Sequence, residues 1–291
     1  MIWVIGNRGM LGSDVSWELK SRGLANIGTD QEVDITDPAA IREFVKGRDV
    51  RWVVNCAAYT AVDRAEEEPE AAFALNSEAV GNIAELAECI GSSLVHISTD
   101  YVFNGQGVVP YAEDDPVDPA GVYGRSKAAG ERLASERCSR TQIVRTAWLY
   151  GPNGNNFVFT MLKLMKERKT LKVVDDQVGS PTYTVHLAQA IVAIIQSPES
   201  HCGIYHFTNE GQTTWFEFAK EIQRVAIEKE MIGDACALES CTTQEFPTKA
   251  ARPAYSVLSK EKIKRVFGIS IPDWQEGLAE FFYRLLIQHP V

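Results

Sequence analysis

Tyr123-Gly-Arg-Ser-Lys127 sets a phenol and an ammonium four residues apart, on one face if the segment is helical. Reduction of a ketone needs a proton donor at the oxygen while hydride reaches the carbon. A tyrosine with an ordinary pKa of about 10 is a poor fit at neutral pH, and a nearby ammonium lowers it by favouring the phenolate. The same lysine can bond a nicotinamide ribose. By itself the spacing is cheap and equally describes an amphipathic surface pair, so neighbouring residues decide its meaning. His96-Ile-Ser-Thr-Asp-Tyr-Val-Phe103 reads as a strand end, and Thr99 lies 24 residues before Tyr123. A strand-end hydroxyl opposite the tyrosine could bond the same carbonyl oxygen and polarise it. Asp100 could anchor sugar hydroxyls, relay a proton, or simply close a turn.

A second constellation sits at the start of the chain. Gly6-Asn-Arg-Gly9-Met-Leu-Gly12 follows an apolar run and opens a helical one. Glycines there let the backbone turn tightly and approach a pyrophosphate, and the helix N-terminus supplies free N–H groups. Asp30, 18 residues after Gly12, ends the second strand candidate. Its carboxylate could bond the adenosine ribose hydroxyls and would favour NADH, whereas Arg8 could pair with the 2′-phosphate of NADPH. The two residues leave the cofactor form open.

These residues need a scaffold, and the pattern supplies one. Short apolar runs at Ile2–Ile5, Leu24–Gly28, Trp52–Asn55, Ser93–Ser98 and Gln142–Thr146 alternate with helical segments at Met10–Lys20, Pro38–Lys46, Ala71–Cys89 and Gly124–Arg137. That alternation predicts an α/β fold with a doubly wound parallel sheet, Rossmann-like. Beyond Gly151 the rhythm changes to a helix at Phe157–Lys169, a strand at Leu171–Val174, an apolar helix near 185–196 and a strand near Tyr205. We read a dinucleotide-binding domain at 1–152 with 183–203. A smaller mixed α/β substrate-binding domain, 153–182 with 204–291, lies over the C-terminal edge of the sheet.

Composition narrows the partners. The 291 residues carry a formal charge of −10, with 45% hydrophobic and 23% charged residues. A folded acidic chain is expected to bind no nucleic acid and no anionic membrane. No stretch approaches the ~20 apolar residues of a membrane span, and the first residues do not read as a signal peptide. The six cysteines are scattered without CxxC pairs, so we expect reduced cytoplasmic thiols and no zinc site.

Taken together, the glycine turn, Asn55-Cys-Ala-Ala58, Ser98-Thr-Asp100 and the Tyr123/Lys127 pair resemble the extended short-chain dehydrogenase/reductases. Further stretches resemble the dTDP-4-dehydrorhamnose reductase family within them: Ala57–Glu66, Ser98–Phe103, Arg145–Tyr150, Gly154–Phe157, Asp176–Thr182, Ala251-Arg-Pro253 and Pro272-Asp-Trp274. The likeness runs essentially end to end. It implies that Gly9, Met10 and Leu11 meet the cofactor pyrophosphate. Asp30, Asp34 and Ile35 would line the adenosine pocket, and Ala57, Ala58, Tyr59 and Thr60 would follow the cofactor. Thr99, Asp100 and Trp148 would contact the sugar, with Tyr123 as proton donor and Lys127 as its partner. Arg252 would pair with the nucleotide diphosphate.

The resemblance also implies NADPH or NADH as cofactor, a dTDP-4-keto-6-deoxy-sugar as substrate, and either a monomer or a homodimer. Some relatives hold a magnesium ion through interface glutamates. The corresponding positions here are Asp14 and a position near His186, so no metal is carried over. Another departure is Tyr59, where the family often has histidine. Rival expectations are another nucleotide-sugar reductase, an epimerase or a dehydratase. A non-catalytic regulatory subunit, such as that of methionine adenosyltransferase, is a further rival, which intact Thr99, Tyr123 and Lys127 disfavour.

Overall fold

Valine, isoleucine and tryptophan runs too short for helices build the centre of the molecule. In the computed structural model, which describes residues 1–199, 201–233 and 235–288, six parallel strands form one sheet. They are β1 (Ile2–Ile5), β2 (Asn26–Thr29), β3 (Trp52–Asn55), β4 (Ser93–Thr99), β5 (Thr141–Thr146) and β6 (Gly203–His206), in the spatial order β6-β5-β4-β3-β1-β2. Nearly every residue of β1, β3, β4 and β5 is buried, as a sheet covered on both faces requires. Residues 200, 234 and 289–291 of the expected domain ranges lie outside the described residues.

Helices α1 (Met10–Ser21) and α5 (Thr184–Gln196) cover one face, burying Val15 and Leu19 with Leu187 and Ile191 against Val4, Val54 and Val95. Helices α2 (Pro38–Val45), α3 (Ala79–Cys89) and α4 (Val122–Arg137) cover the other, around Trp3, Ile41, Ile83 and Ile143. A separate aromatic core, with Tyr150, Tyr183, Phe218, Trp274, Phe281 and Phe282, holds the later elements together. Among the described residues no helix is long and apolar enough to cross a membrane.

Three local readings of the sequence shift. The second strand is Asn26–Thr29 rather than Leu24–Gly28, because its pairing with β1 runs from Ile2↔Asn26 to Ile5↔Thr29. The expected long helix through Ala71–Cys89 is broken by a π turn at Ala74–Glu78. The wider turn accompanies a buried asparagine that serves two neighbours: Asn76 Nδ2 donates to the Tyr59 carbonyl and to Ser126 Oγ, both at 3.0 Å, and its Oδ1 accepts from the Tyr59 N–H at 2.8 Å. A strand at Ala237–Cys241, not anticipated from its polar residues, pairs in parallel with Thr170–Val174.

The catalytic-helix candidate α4 lies very close to its neighbours. A Cβ on Gly130 would stand 2.0 Å from the Asn76 carbonyl oxygen, and one on Gly124 2.1 Å from that of Tyr101. Both obstacles are backbone, so a methyl at either site forces the helix away. We therefore expect Gly130→Ala to destabilise the fold by about 1–3 kcal/mol despite alanine's better helix propensity. Urea unfolding should show a lower midpoint at an unchanged slope. An equal or higher midpoint would refute the close-packing argument.

Candidate active site

The C-terminal ends of β1, β3, β4 and β5 open into one cleft of about 1330 Å³, roofed by residues from the later elements. Ligands of doubly wound sheets bind at that edge. At its floor, Gly6 has φ +75°, a region open to glycine, and a Cβ there would meet the Ala57 nitrogen at 2.9 Å. A Cβ on Gly12 would stand 2.1 Å from the Gly6 carbonyl oxygen. Helix α1 begins at Gly9 with no side-chain cap, which leaves its first N–H groups without a side-chain acceptor. This cradle fits a dinucleotide pyrophosphate.

Asp30 and Arg8 turn out to be bonded to each other through backbone. The Arg8 N–H donates to Asp30 Oδ2 at 3.2 Å, while the exposed Arg8 guanidinium pairs with Glu32 at 3.3 Å. Asp34 accepts from the Thr36 hydroxyl and N–H at 2.7 and 2.9 Å, which holds its carboxyl below the usual range. Gly6, Gly9, Met10, Leu11, Asp30, Asp34, Ile35, Ala57, Ala58 and Thr60 all line the cleft. Arg8, Gly12 and Tyr59 do not: Gly12 acts by letting the turn close, and the Tyr59 hydroxyl donates to Glu68 at 2.7 Å.

Thr99, Asp100, Tyr123 and Lys127 come together on the opposite wall. Helix α4 starts where the Val122 N–H donates to Glu66 Oε1 at 2.7 Å, and Ser126 Oγ donates to the Tyr123 carbonyl at 2.8 Å. One turn on, Lys127 is 2% exposed and its Nζ donates to the Ile97 carbonyl of β4 at 2.6 Å. Burial lowers this ammonium to about 8, with Glu131 and Cys56 acting the other way. The expectation that Lys127 depresses the tyrosine is not met. Burial pushes the Tyr123 phenol well up, the neighbouring Thr99 hydroxyl opposes this, and Asp100 and Tyr101 add to the rise. The reason is that removal from water outweighs the opposing influence of the Thr99 hydroxyl, and the neighbouring charges act in the same direction as burial. The Thr99 Oγ1 proton is donated to Asp100 Oδ1 at 2.9 Å, and burial raises that carboxyl to about 6.

Trp148 reaches the cleft from a left-handed backbone, φ +48°, uncommon for a bulky residue. Its ring stacks on Trp215 with centroids 3.5 Å apart, and a Cβ on Gly179 would collide with it at 2.5 Å. Arg252 donates to Tyr101 Oη at 3.1 Å and is ion-paired with Asp63. Sequence reasoning missed Asn76, Tyr101 and Trp215. An asparagine inside an apolar helical pattern was a legible signal for the first; nothing local marked the other two.

At the position compared with an interface metal, Asp14 Oδ2 accepts from the Thr184 hydroxyl at 2.6 Å and Oδ1 faces the Arg284 guanidinium at 3.3 Å. His186 is bonded to Glu280 at 2.9 Å. A guanidinium in that place opposes a divalent cation, so the residues do not fit one.

A parallel sheet with a glycine-floored cleft and a buried lysine behind a strand-end threonine defines a nicotinamide-dependent oxidoreductase of the short-chain dehydrogenase/reductase kind. More narrowly, the chain belongs to the RmlD substrate binding domain family, whose sequence model matches residues 1–287. It is 42% identical to the spore coat polysaccharide biosynthesis protein SpsK of Bacillus subtilis (strain 168), over 96% of each chain. It is 38% identical to the dTDP-4-dehydrorhamnose reductase of Escherichia coli (strain K12), over 98% of this chain and 97% of that one. The crystal structure of the Bacillus anthracis dTDP-4-dehydrorhamnose reductase in complex with NADP superposes with a TM-score of 0.91 at 38% identity, over 97% of this chain and 98% of that one.

Two outcomes follow from this geometry. Gly12→Ala should weaken NADPH binding at least about tenfold, some 1.4 kcal/mol, in a fluorescence titration, because the added methyl must displace the Gly6 carbonyl; unchanged affinity would dismiss the cradle. The second concerns pH. The raised tyrosine keeps its proton at ordinary pH, whereas the lysine, lowered to about 8, loses its charge as pH rises through that value. kcat/KM, which reports the free enzyme, should therefore fall above about pH 8. A limb that stays in place in Lys127→Arg would assign it to another group.

Proposed function

We propose that this protein reduces the C4 ketone of dTDP-4-dehydro-L-rhamnose to dTDP-L-rhamnose, consuming NADPH or NADH. The observation that carries the reading is the meeting of Thr99, Tyr123 and Lys127 at the glycine-floored cleft. The names of the full-length relatives support the substrate. The nicotinamide supplies the hydride.

The residues divide the remaining work. Gly9, Met10 and Leu11 hold the pyrophosphate, Asp30 with Asp34 and Ile35 takes the adenosine end, and Ala58 and Thr60 continue the path toward the reacting centre. Thr99 turns its single hydroxyl proton from Asp100 Oδ1 to the ketone oxygen and so draws electron density from the carbon. Tyr123 delivers its proton to that oxygen as charge develops there. Its raised pKa keeps the proton on the phenol until an alkoxide, a stronger base than a phenolate, develops beside it. Lys127, fixed by the Ile97 carbonyl, keeps a positive charge behind the phenol as it becomes phenolate. Asp100 and Trp148 shape the sugar subsite. Burial of the Asp100 carboxyl, raised to about 6, keeps a tuned acceptor beside the carbonyl end.

We assign the cofactor to residues 1–152 with 183–203, and the sugar nucleotide to 153–182 with 204–291. The strand Gly203–His206 is the joint between them, since it hydrogen-bonds to β5 while leading into the second unit.

A coupled assay with dTDP-4-dehydro-L-rhamnose and each reduced cofactor tests the activity. One NAD(P)H should disappear per product formed; an epimerase or a dehydratase would return the hydride and show no net consumption. Tyr123→Phe should cut kcat by about 10²–10⁴-fold. Undiminished turnover in that variant would remove the tyrosine from the mechanism.

A further inference from the structure

Glu32 lies off the cleft lining and belongs to none of the roles above, yet it engages the residue on which the choice of cofactor turns. It sits in the turn after β2, at the end of the cleft assigned to the adenosine. Its carboxylate bonds on both sides: Oε1 accepts from the Asp30 N–H at 3.0 Å, and Oε2 pairs with the Arg8 guanidinium at 3.3 Å. The first bond belongs to the turn itself. The N–H groups of Glu32 and Asp30 hold this carboxyl below the usual range, so it is charged at neutral pH. The second bond reaches across to the glycine turn, and the Arg8 it engages is absent from the cleft lining.

The wall that remains is acidic. In the segment from 30 to 35 the cleft is lined by Asp30, Gln31, Val33, Asp34 and Ile35, which include two carboxylates and no cation. Asp30 Oδ2 accepts from the Arg8 N–H at 3.2 Å, and its Oδ1 has no partner among the described residues. An ionised carboxylate only accepts hydrogen bonds. It can take the hydroxyls of an adenosine ribose, which donate. A phosphate ester in the same place brings further acceptors and about two negative charges. The cations that do line the cleft belong to other elements: Lys127 is bonded to Ile97, Arg252 to Tyr101 and Asp63, and Lys172 lies on the strand Thr170–Val174.

We propose that Glu32 sets the cofactor preference: by engaging Arg8 it leaves Asp30 to meet the adenosine ribose unaided, so the protein takes NADH in preference to NADPH. Glu32 is a positioning residue, since it acts through Arg8. The proposal rests on the reductase reading above and deepens it by choosing between its two cofactors. A 2′-phosphate has to approach the Asp30 and Asp34 carboxylates and also take Arg8 from Glu32 before its charge is met. Both requirements oppose binding.

Fluorescence titration of the protein with NADH and with NADPH, at low ionic strength, tests this without any sugar substrate. The parent protein should bind NADH more tightly, by about tenfold or more. Glu32→Gln keeps an acceptor for the Asp30 N–H, so the turn should persist, as a thermal melt would verify. We expect that variant to bind NADPH about three- to tenfold more tightly while its NADH Kd stays within about twofold, and an added Arg8→Met change to erase the gain. Equal affinity of the parent for both cofactors would overturn the proposal. So would a Glu32→Gln variant that shifts both constants alike, which makes the residue structural. A gain that survives Arg8→Met would overturn it too, by making Glu32 a charge that acts on its own. Binding of neither cofactor would instead sink the reductase reading, and this proposal with it.

Discussion

A buried ammonium bonded to a strand carbonyl organises this molecule. Lys127 is drawn out of water at a cost of a few kcal/mol, visible as the fall of its pKa to about 8, and its bond to Ile97 partly offsets that cost. The bond exists because α4 lies almost on β4 and on the π turn, which Gly124 and Gly130 allow by lacking the atoms that would collide. From that anchor the rest follows. Tyr123, one turn back, is brought to Thr99 at the end of the strand that Lys127 holds. Glu131, one turn forward, forms a buried pair with Arg145 at 2.7 Å, fastening the same helix to β5.

The second organising feature is how an acidic protein receives acidic ligands. With a net charge of −10 the overall field repels nucleotide anions. The cleft works against that field with local, fixed donors: the uncapped start of α1 and the Arg252 guanidinium held by Asp63 and Tyr101. Such donors cost little reorganisation when the ligand arrives, because they are already held. The same economy explains Trp148. Its left-handed backbone is unfavourable, and the stack on Trp215 with the bare face of Gly179 stabilises it in place at the cleft wall.

Much of this was legible in one dimension. Alternating strand and helix patterns located β1, β3, β4 and β5 to within a residue, because buried parallel strands are apolar throughout and their ends are marked by turn residues. The Tyr123/Lys127 spacing took its chemical meaning from its companions, the glycine turn and Ser98-Thr-Asp100. Where the reading failed, the cause was distance along the chain. The π turn at Asn76 depends on Tyr59 and Ser126, and the strand Ala237–Cys241 exists only because Thr170–Val174 lies ready to pair with it. Tyr101 and Trp215 acquire their places from Arg252 and Trp148, residues that no local pattern connects to them.

The sequence by itself therefore determined the class of fold and the glycine turn, and it marked Tyr123 and Lys127 as the candidate pair. Each of these is a short-range matter of periodicity, backbone freedom or helical spacing. Tertiary structure alone decided the electrostatic state of that pair. Burial raised the tyrosine that the motif alone would have lowered, since the cost of removing a charge from water depends on surroundings gathered from the whole chain.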